Sequence, residues 1–199
     1  DPDADRLGVY CKDTKSGEYV SFTGNMSAML IAEYMLAEKT KMGTMPENPV
    51  FVESIVSTAM GQAIAAAYDV EYVETLTGFK YIGEKIRQFE AAGNKNYVFG
   101  MEESYGYLVG THARDKDAVS AAMMIVEMYA YYQRQGKTLL QVLDELSQEF
   151  GYYVTDLQSK TYAGADGKKT MDCIMERIRN TQSVGYNAGK MQFVNNINA

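Results

Sequence analysis

Val50-Phe51-Val52, Val70-Glu71-Tyr72-Val73-Glu74 and Asn96-Tyr97-Val98-Phe99-Gly100 are short apolar runs rich in valine and aromatic residues, and the segments between them carry helical periodicity. Such runs read as strands, and apolar residues that return every three to four positions read as helices. The pattern predicts a strand from Val50, a helix over 59–67, a strand over 70–74, a helix over 81–92 and a strand over 96–100. Strands alternating with helices make a layered α/β architecture with parallel pairs, because a parallel neighbour is reached only through a long crossover. Ligands then bind at the loops beyond the carboxyl ends of the strands. Those loops are 54–59, 75–81 and 100–110.

Outward from this centre, two helices are expected over 116–134 and 138–150, joined through Gly136. Upstream, residues 7–10 and 18–22 are β-like runs separated by the polar turn Lys12-Asp13-Thr14-Lys15-Ser16-Gly17, the mark of a hairpin. Thr23-Gly24-Asn25 follows as punctuation, with Asn25 expected to cap a helix over 26–41 that places Met29, Leu30, Ala32, Met35 and Leu36 at helical spacing. A domain boundary belongs near 22–25. Downstream, 152–162 reads as a further strand or an extended exit, 163–169 as a loop, 171–179 as an amphipathic helix, and the Asn-rich end over 185–199 as linker or tail.

With 199 residues, 46% of them hydrophobic, the chain can bury a full domain core. A net charge of −7 and a pI near 4.8 disfavour a general nucleic-acid or anionic-membrane surface, while a local basic pocket for a phosphate stays open. No apolar run approaches the length of a membrane span. Cys11 and Cys173 are far apart and outside any Cys-x-x-Cys spacing, so they read as free thiols of a reducing compartment, and a cytoplasmic location is expected.

The chemistry-bearing stretches lie at the ends of these elements. Asp1-Pro2-Asp3-Ala4-Asp5-Arg6 sets carboxylates at alternate positions, which converge on a hard cation when the backbone bends around it. An exposed acidic turn is the plainer alternative, and the arginine argues against it, since a guanidinium beside a cation is useful where a phosphate lies between them. An EF-hand is excluded, because Arg6 and Lys12 stand where that loop needs glycine and glutamate. A metal ligand at the first residue also suggests a piece of a longer polypeptide. Gly100-Met101-Glu102-Glu103-Ser104-Tyr105-Gly106 puts carboxylates and a hydroxyl after a strand, as sugar-hydroxyl partners or as the acidic first turn of a helix. Thr77-Gly78-Phe79-Lys80 puts a lysine after a glycine turn, suited to an anion.

In their order and spacing, DPDADR, TLTGFKYIGEKI and GMEESYGYLVGTHARDKDA resemble the phosphohexomutase superfamily, most closely its bacterial α-phosphoglucomutase branch. The resemblance runs from residue 1 to about 160. It implies a three-layer α/β/α domain with a small mixed sheet, preceded by a β-hairpin remnant of another domain. Residues 1–22 would close a second domain, 23–165 form a third, and 166–199 lead toward a fourth. The first and fourth domains, which carry the phosphoserine and the distal phosphate clamp, have no matching segment here. By the same resemblance Asp1, Asp3 and Asp5 would hold Mg²⁺ and Arg6 would neighbour the transferring phosphate. Glu102 and Ser104 would hold sugar hydroxyls, Phe79 and Lys80 would lie in the loop that distinguishes sugar orientation, and Lys116 would act as phosphate ligand or proton-transfer group. His112, the only histidine, is more ordinary as a surface polar group.

The implied reaction of the parent enzyme is interconversion of glucose 1-phosphate and glucose 6-phosphate through a phosphoserine and glucose 1,6-bisphosphate, with the chain alone inactive. A phosphomannomutase, a phosphopentomutase, a hexose-bisphosphate synthase and a non-catalytic sugar-phosphate-binding module share these loops and remain alternatives.

Overall fold

The computed structural model describes residues 2–14, 16–156 and 160–180 with their side chains, and 184–186 and 189–191 as backbone. It divides into two compact units, 1–155 and 156–199. In the first, β1 (Val9–Lys12) and β2 (Tyr19–Phe22) form an antiparallel hairpin. Then come α1 (Gly24–Met42), β3 (Pro49–Ser54), α2 (Met60–Ala67), β4 (Glu71–Thr75), α3 (Phe79–Ala92), β5 (Asn96–Glu102), β6 (Gly106–Val109), α4 (Ala118–Arg134) and α5 (Leu139–Phe150).

The four-stranded sheet has the order β4-β3-β5-β6, with β4, β3 and β5 parallel and β6 antiparallel to β5. Periodicity found the parallel strands. It missed β6, four residues long, whose entry from β5 takes only Glu103, Ser104 and Tyr105. Tyr105 closes that short hairpin in the left-handed region, φ +68°, a conformation a bulky residue rarely adopts. The 100–110 loop is therefore mostly sheet.

One face of the sheet is covered by α1, α2, α4 and α5, whose Leu30, Ile31, Ile64, Met128 and Val142 pack with Phe51, Phe99 and Met101. The register between β3 and β5 slips after Val50, so Val98 is extra and both Val98 and Phe99 join this larger cluster. The other face is covered by α3, where Phe79, Ile82, Ile86 and Phe89 pack on Val50, Val52, Tyr97 and Leu108. Helices on both faces of a small mixed sheet make the expected α/β/α domain. α1 is buried through the consecutive run Ser27 to Ala32, as befits a helix enclosed on most sides.

Thr23, rather than Asn25, caps α1: its Oγ1 accepts the Met26 N–H at 3.2 Å. Asn25 lies inside the first turn and accepts the Thr58 N–H at 3.3 Å, so a tertiary bond claims the side chain that sequence assigns to the cap. Val9 and the fully buried Phe22 belong to the larger cluster, so the hairpin shares the core of the domain that follows it. In the second unit, α6 (Gly164–Asn180) begins within the stretch expected as a loop. Gly167 is what permits this, because a Cβ there would come 2.6 Å from the Tyr162 backbone. No strand occurs among the described residues of 152–162, and β7 (Val184–Tyr186) pairs with β8 (Gly189–Met191) where a tail was expected.

Candidate functional site

Glu102 ends β5 with its side chain on the α3 face and is 4% exposed. Its Oε1 accepts the Gly78 N–H at 2.6 Å. Gly78 immediately precedes α3 with φ +121°, which only glycine adopts readily, so the carboxylate fixes the 75–79 loop at a helix start where N–H groups favour negative charge. Glu103 turns elsewhere: its Oε2 accepts from Ser54 Oγ at 3.1 Å, and Ser54 bonds Ser57 at 2.9 Å. The acidic pair opens a tight β-turn, so the helix-cap alternative for it does not apply.

The turn itself is clamped. A Cβ on Gly24 would collide with the Glu103 carbonyl, so the start of α1 presses directly on this backbone. The Tyr105 carbonyl accepts the Leu7 N–H at 3.1 Å, which docks the exit of the DPDADR loop on the same turn. Ser104 is half-buried between these two anchors.

Lys116 joins the loops. Its stem covers Gly106, where any Cβ would clash with Lys116 Cδ. Its ammonium lies 3.1 Å from Asp5 Oδ2, 2.9 Å from Asp115 Oδ1 and 5.6 Å from the centre of the Phe79 ring. Burial pulls this amine down, but the hydrogen bonds to Asp115 and Asp5 outweigh it and the net shift is upward, so Lys116 is held as a cation. That favours phosphate neutralisation over proton abstraction. Behind it, Arg114 forks onto Glu90 at 2.6 and 2.7 Å and donates to the Thr111 carbonyl, which ties the 110–117 segment to α3. Asp117 caps α4 by accepting from Val119 and Ser120, and His112 bonds the same carboxylate at 2.8 Å, which gives the histidine a structural partner.

Of the residues singled out by sequence, the structure brings together Asp5, Lys116, Phe79 and Glu102, the last through Gly78. Arg6 is exposed and, with Gly8, Tyr10, Ser21 and Tyr105, lines an open depression of about 340 Å³. Phe79 departs from expectation: it is the first residue of α3, 3% exposed and part of the smaller core, so it supports Lys116 from below and offers a ligand little surface. Lys80 points outward, its ammonium 5.9 Å from the Tyr81 ring centre. Asp3 is exposed, and Asp1 lies outside the described residues.

Among the described residues no three carboxylate, imidazole or thiol groups converge as a metal centre. The loop nevertheless fits a hard cation in its donors, all carboxylate oxygens, and in Asp5 Oδ1, which is buried without a hydrogen-bond partner. Gly78, Gly106, Asp115 and Ser54 stand within the loops and motifs read from the sequence, but pattern alone assigns them no contacts. Glycines at strand ends were the available signal, and their role becomes legible only once the loops meet.

Residues 23–150 match the family profile "Phosphoglucomutase/phosphomannomutase, alpha/beta/alpha domain III". The phosphoglucomutase of Staphylococcus aureus strain USA300 is 36% identical over 179 residues, which is 90% of this chain and 31% of that protein. The chain thus spans about a third of the length of the curated relatives it matches. In fold it resembles parafusin, a phosphoglucomutase from Paramecium, with a TM-score of 0.56 and 23% identity over 76% of this chain and 24% of that one. It also resembles the Aspergillus fumigatus N-acetylphosphoglucosamine mutase in complex with GlcNAc-6P and magnesium, with a TM-score of 0.51 and 16% identity over 77% and 32% of the two chains. The chain therefore belongs to the phosphoglucomutase/phosphomannomutase family, and residues 23–150 are its domain III.

Proposed function

We propose that this chain is the sugar-recognition and metal-loop part of a phosphoglucomutase, an isomerase that interconverts glucose 1-phosphate and glucose 6-phosphate through a phosphoserine and glucose 1,6-bisphosphate. The observation that carries the proposal is the meeting of the loops: Asp5, Lys116 and the Gly78–Glu102 pair are linked across one rim of the sheet. The identity to a phosphoglucomutase over 90% of the chain supports the same reading.

In this reading Glu102 keeps one oxygen on the Gly78 N–H and offers its other lone pairs to sugar hydroxyls, while Ser104 donates or accepts beside it. Arg6 and Lys116 neutralise the phosphate that moves. Asp1, Asp3 and Asp5 would hold Mg²⁺, which when bound spreads the charge of the phosphoryl group in transfer. The magnesium bound by the Aspergillus mutase makes this metal a natural choice. The serine that carries the phosphoryl group and the distal phosphate clamp would come from the first and fourth domains of the same polypeptide, and the enzyme would work in the cytoplasm.

The full-length polypeptide that carries this chain is expected to convert glucose 1-phosphate to glucose 6-phosphate, and this chain alone is expected not to, because carrier and clamp supply most of the transition-state stabilisation. Preference for mannose 1-phosphate by the long form would replace the glucose assignment. Absence of turnover on either sugar, or on a pentose phosphate, would favour a binding module.

A further inference from the structure

Lys116 makes its contact with the metal loop from a fixed base. Its stem is confined against Gly106 and its ammonium lies over the Phe79 ring, so the stem is held in place and the terminal group is what meets the partners. Two of those partners are Asp5 Oδ2 and Asp115 Oδ1, at 3.1 and 2.9 Å. The Lys116 and Asp5 side chains are 12% and 22% exposed, so the pair is only weakly screened by water. The second oxygen of Asp5, Oδ1, is buried and accepts nothing. One carboxylate is thus half committed to an internal cation and half desolvated.

We infer that Lys116 is an internal counter-ion of the metal loop, competing with the divalent cation for Asp5, so that cation loading and release of the Lys116 ammonium toward a bound phosphate are one coupled event. The inference rests on the cation reading of residues 1–6 given above. A dication drawn to Asp5 repels the ammonium a few ångströms away and weakens its hold on Oδ2. Asp115 then keeps Lys116 at the rim, where the amine faces the phosphate that the cation also serves. Loading the loop would in this way prepare the phosphate site. Coupling between two ligands is reciprocal, so what the cation does to Lys116 the charge on Lys116 must do to the cation.

The test is Mn²⁺ titration of this chain, after removal of metal, for wild type, Lys116→Met and Lys116→Arg. Lys116→Met should bind Mn²⁺ on the order of tenfold more tightly than wild type, a coupling of ordinary size, while Lys116→Arg, which keeps the charge, should stay near wild type. A second readout needs no variant: acetylation of Lys116 by acetic anhydride, followed by peptide mass, should rise several-fold with saturating Mn²⁺ while that of exposed Lys80 does not change. Equal affinity of wild type and Lys116→Met, or acetylation of Lys116 indifferent to Mn²⁺, overturns the coupling and leaves the cation loop standing. Failure of every chain to bind Mn²⁺ overturns both.

Discussion

The two faces of the central sheet each bury one glutamate at the carboxyl rim, and the two are treated in opposite ways. Glu102, at the end of β5 on the α3 face, is 4% exposed and receives the Gly78 N–H at the start of a helix. Glu53, near the end of β3 beneath α2, is 1% exposed. It accepts the Tyr72 hydroxyl at 2.6 Å, while its Oε2 lies buried without a partner, against Gly61. Burial pushes the Glu53 carboxyl up to about 8, the Tyr72 hydrogen bond pulls the other way, and Glu74 adds to the rise. The same residue type in the same layer is thus an anchored acceptor holding the 75–79 loop on one side and a reluctant acid inside the larger core on the other. Position in the sheet does not make a carboxylate functional; what its oxygens meet does.

The largest effect expected from this contrast is in the pH dependence of stability. A carboxyl whose folded value exceeds its unfolded one favours folding while protonated, and this contribution is lost as pH rises through the folded value. With the unfolded carboxyl near 4.5 and the folded one near 8, stability should decline from about pH 5 to pH 8. Glu53→Gln removes that slope. Denaturant melts at both pH values should show the variant gaining on wild type by on the order of 3 kcal/mol across the interval. Parallel profiles for the two proteins would show that Glu53 is ionised throughout.

Next in size is the anchor on the other face. Glu102→Ala strands the Gly78 N–H, a loss of about 1.5–3 kcal/mol for a bond to a charged acceptor, and Glu102→Gln should recover part of it. Hydrogen exchange at the start of α3 is the local readout. If that segment stays protected in Glu102→Ala, the carboxylate does not fix the loop.

Much of this fold was legible in the sequence because parallel strands enclosed on both faces must be apolar runs, and Val50-Phe51-Val52 and Tyr97-Val98-Phe99 are such runs. β6 was not, since Gly106 to Val109 is too short to show a period and its turn places a tyrosine where glycine would announce the bend. The site divided in the same way. Asp5, Lys116 and Glu102 belong to motifs with recognisable order, so their proximity was expected. Phe79 was misjudged, because a residue beside a glycine turn reads as loop, whereas the side chain is held in the small core by Ile82 and Ile86. Glu103 has no role that its place in the motif reveals. Its bond to Ser54 gives it a task of its own, to tie the 54–57 loop to the turn.

The smallest effect follows from that tie. Glu103→Ala should cost about 0.5–1.5 kcal/mol, the usual worth of one hydrogen bond, and Ser54→Ala about the same, with the double variant costing less than the two singles added together. Strict additivity in thermal melts would mean that the Ser54–Glu103 contact contributes nothing.

The central claim is that the rim around Glu102 recognises a sugar phosphate, and it is tested most directly by kinetics of the full-length polypeptide on glucose 1-phosphate with Glu102→Gln beside Glu103→Gln. Weakening a charge-assisted contact to two sugar hydroxyls should lower kcat/KM by roughly 10- to 150-fold in Glu102→Gln, equivalent to about 1.5–3 kcal/mol. Glu103→Gln, which keeps an acceptor for Ser54, should stay within a few-fold of wild type, both variants being assayed well below their own melting temperatures. Equal turnover in Glu102→Gln and wild type, or a greater loss in Glu103→Gln, would contradict the account.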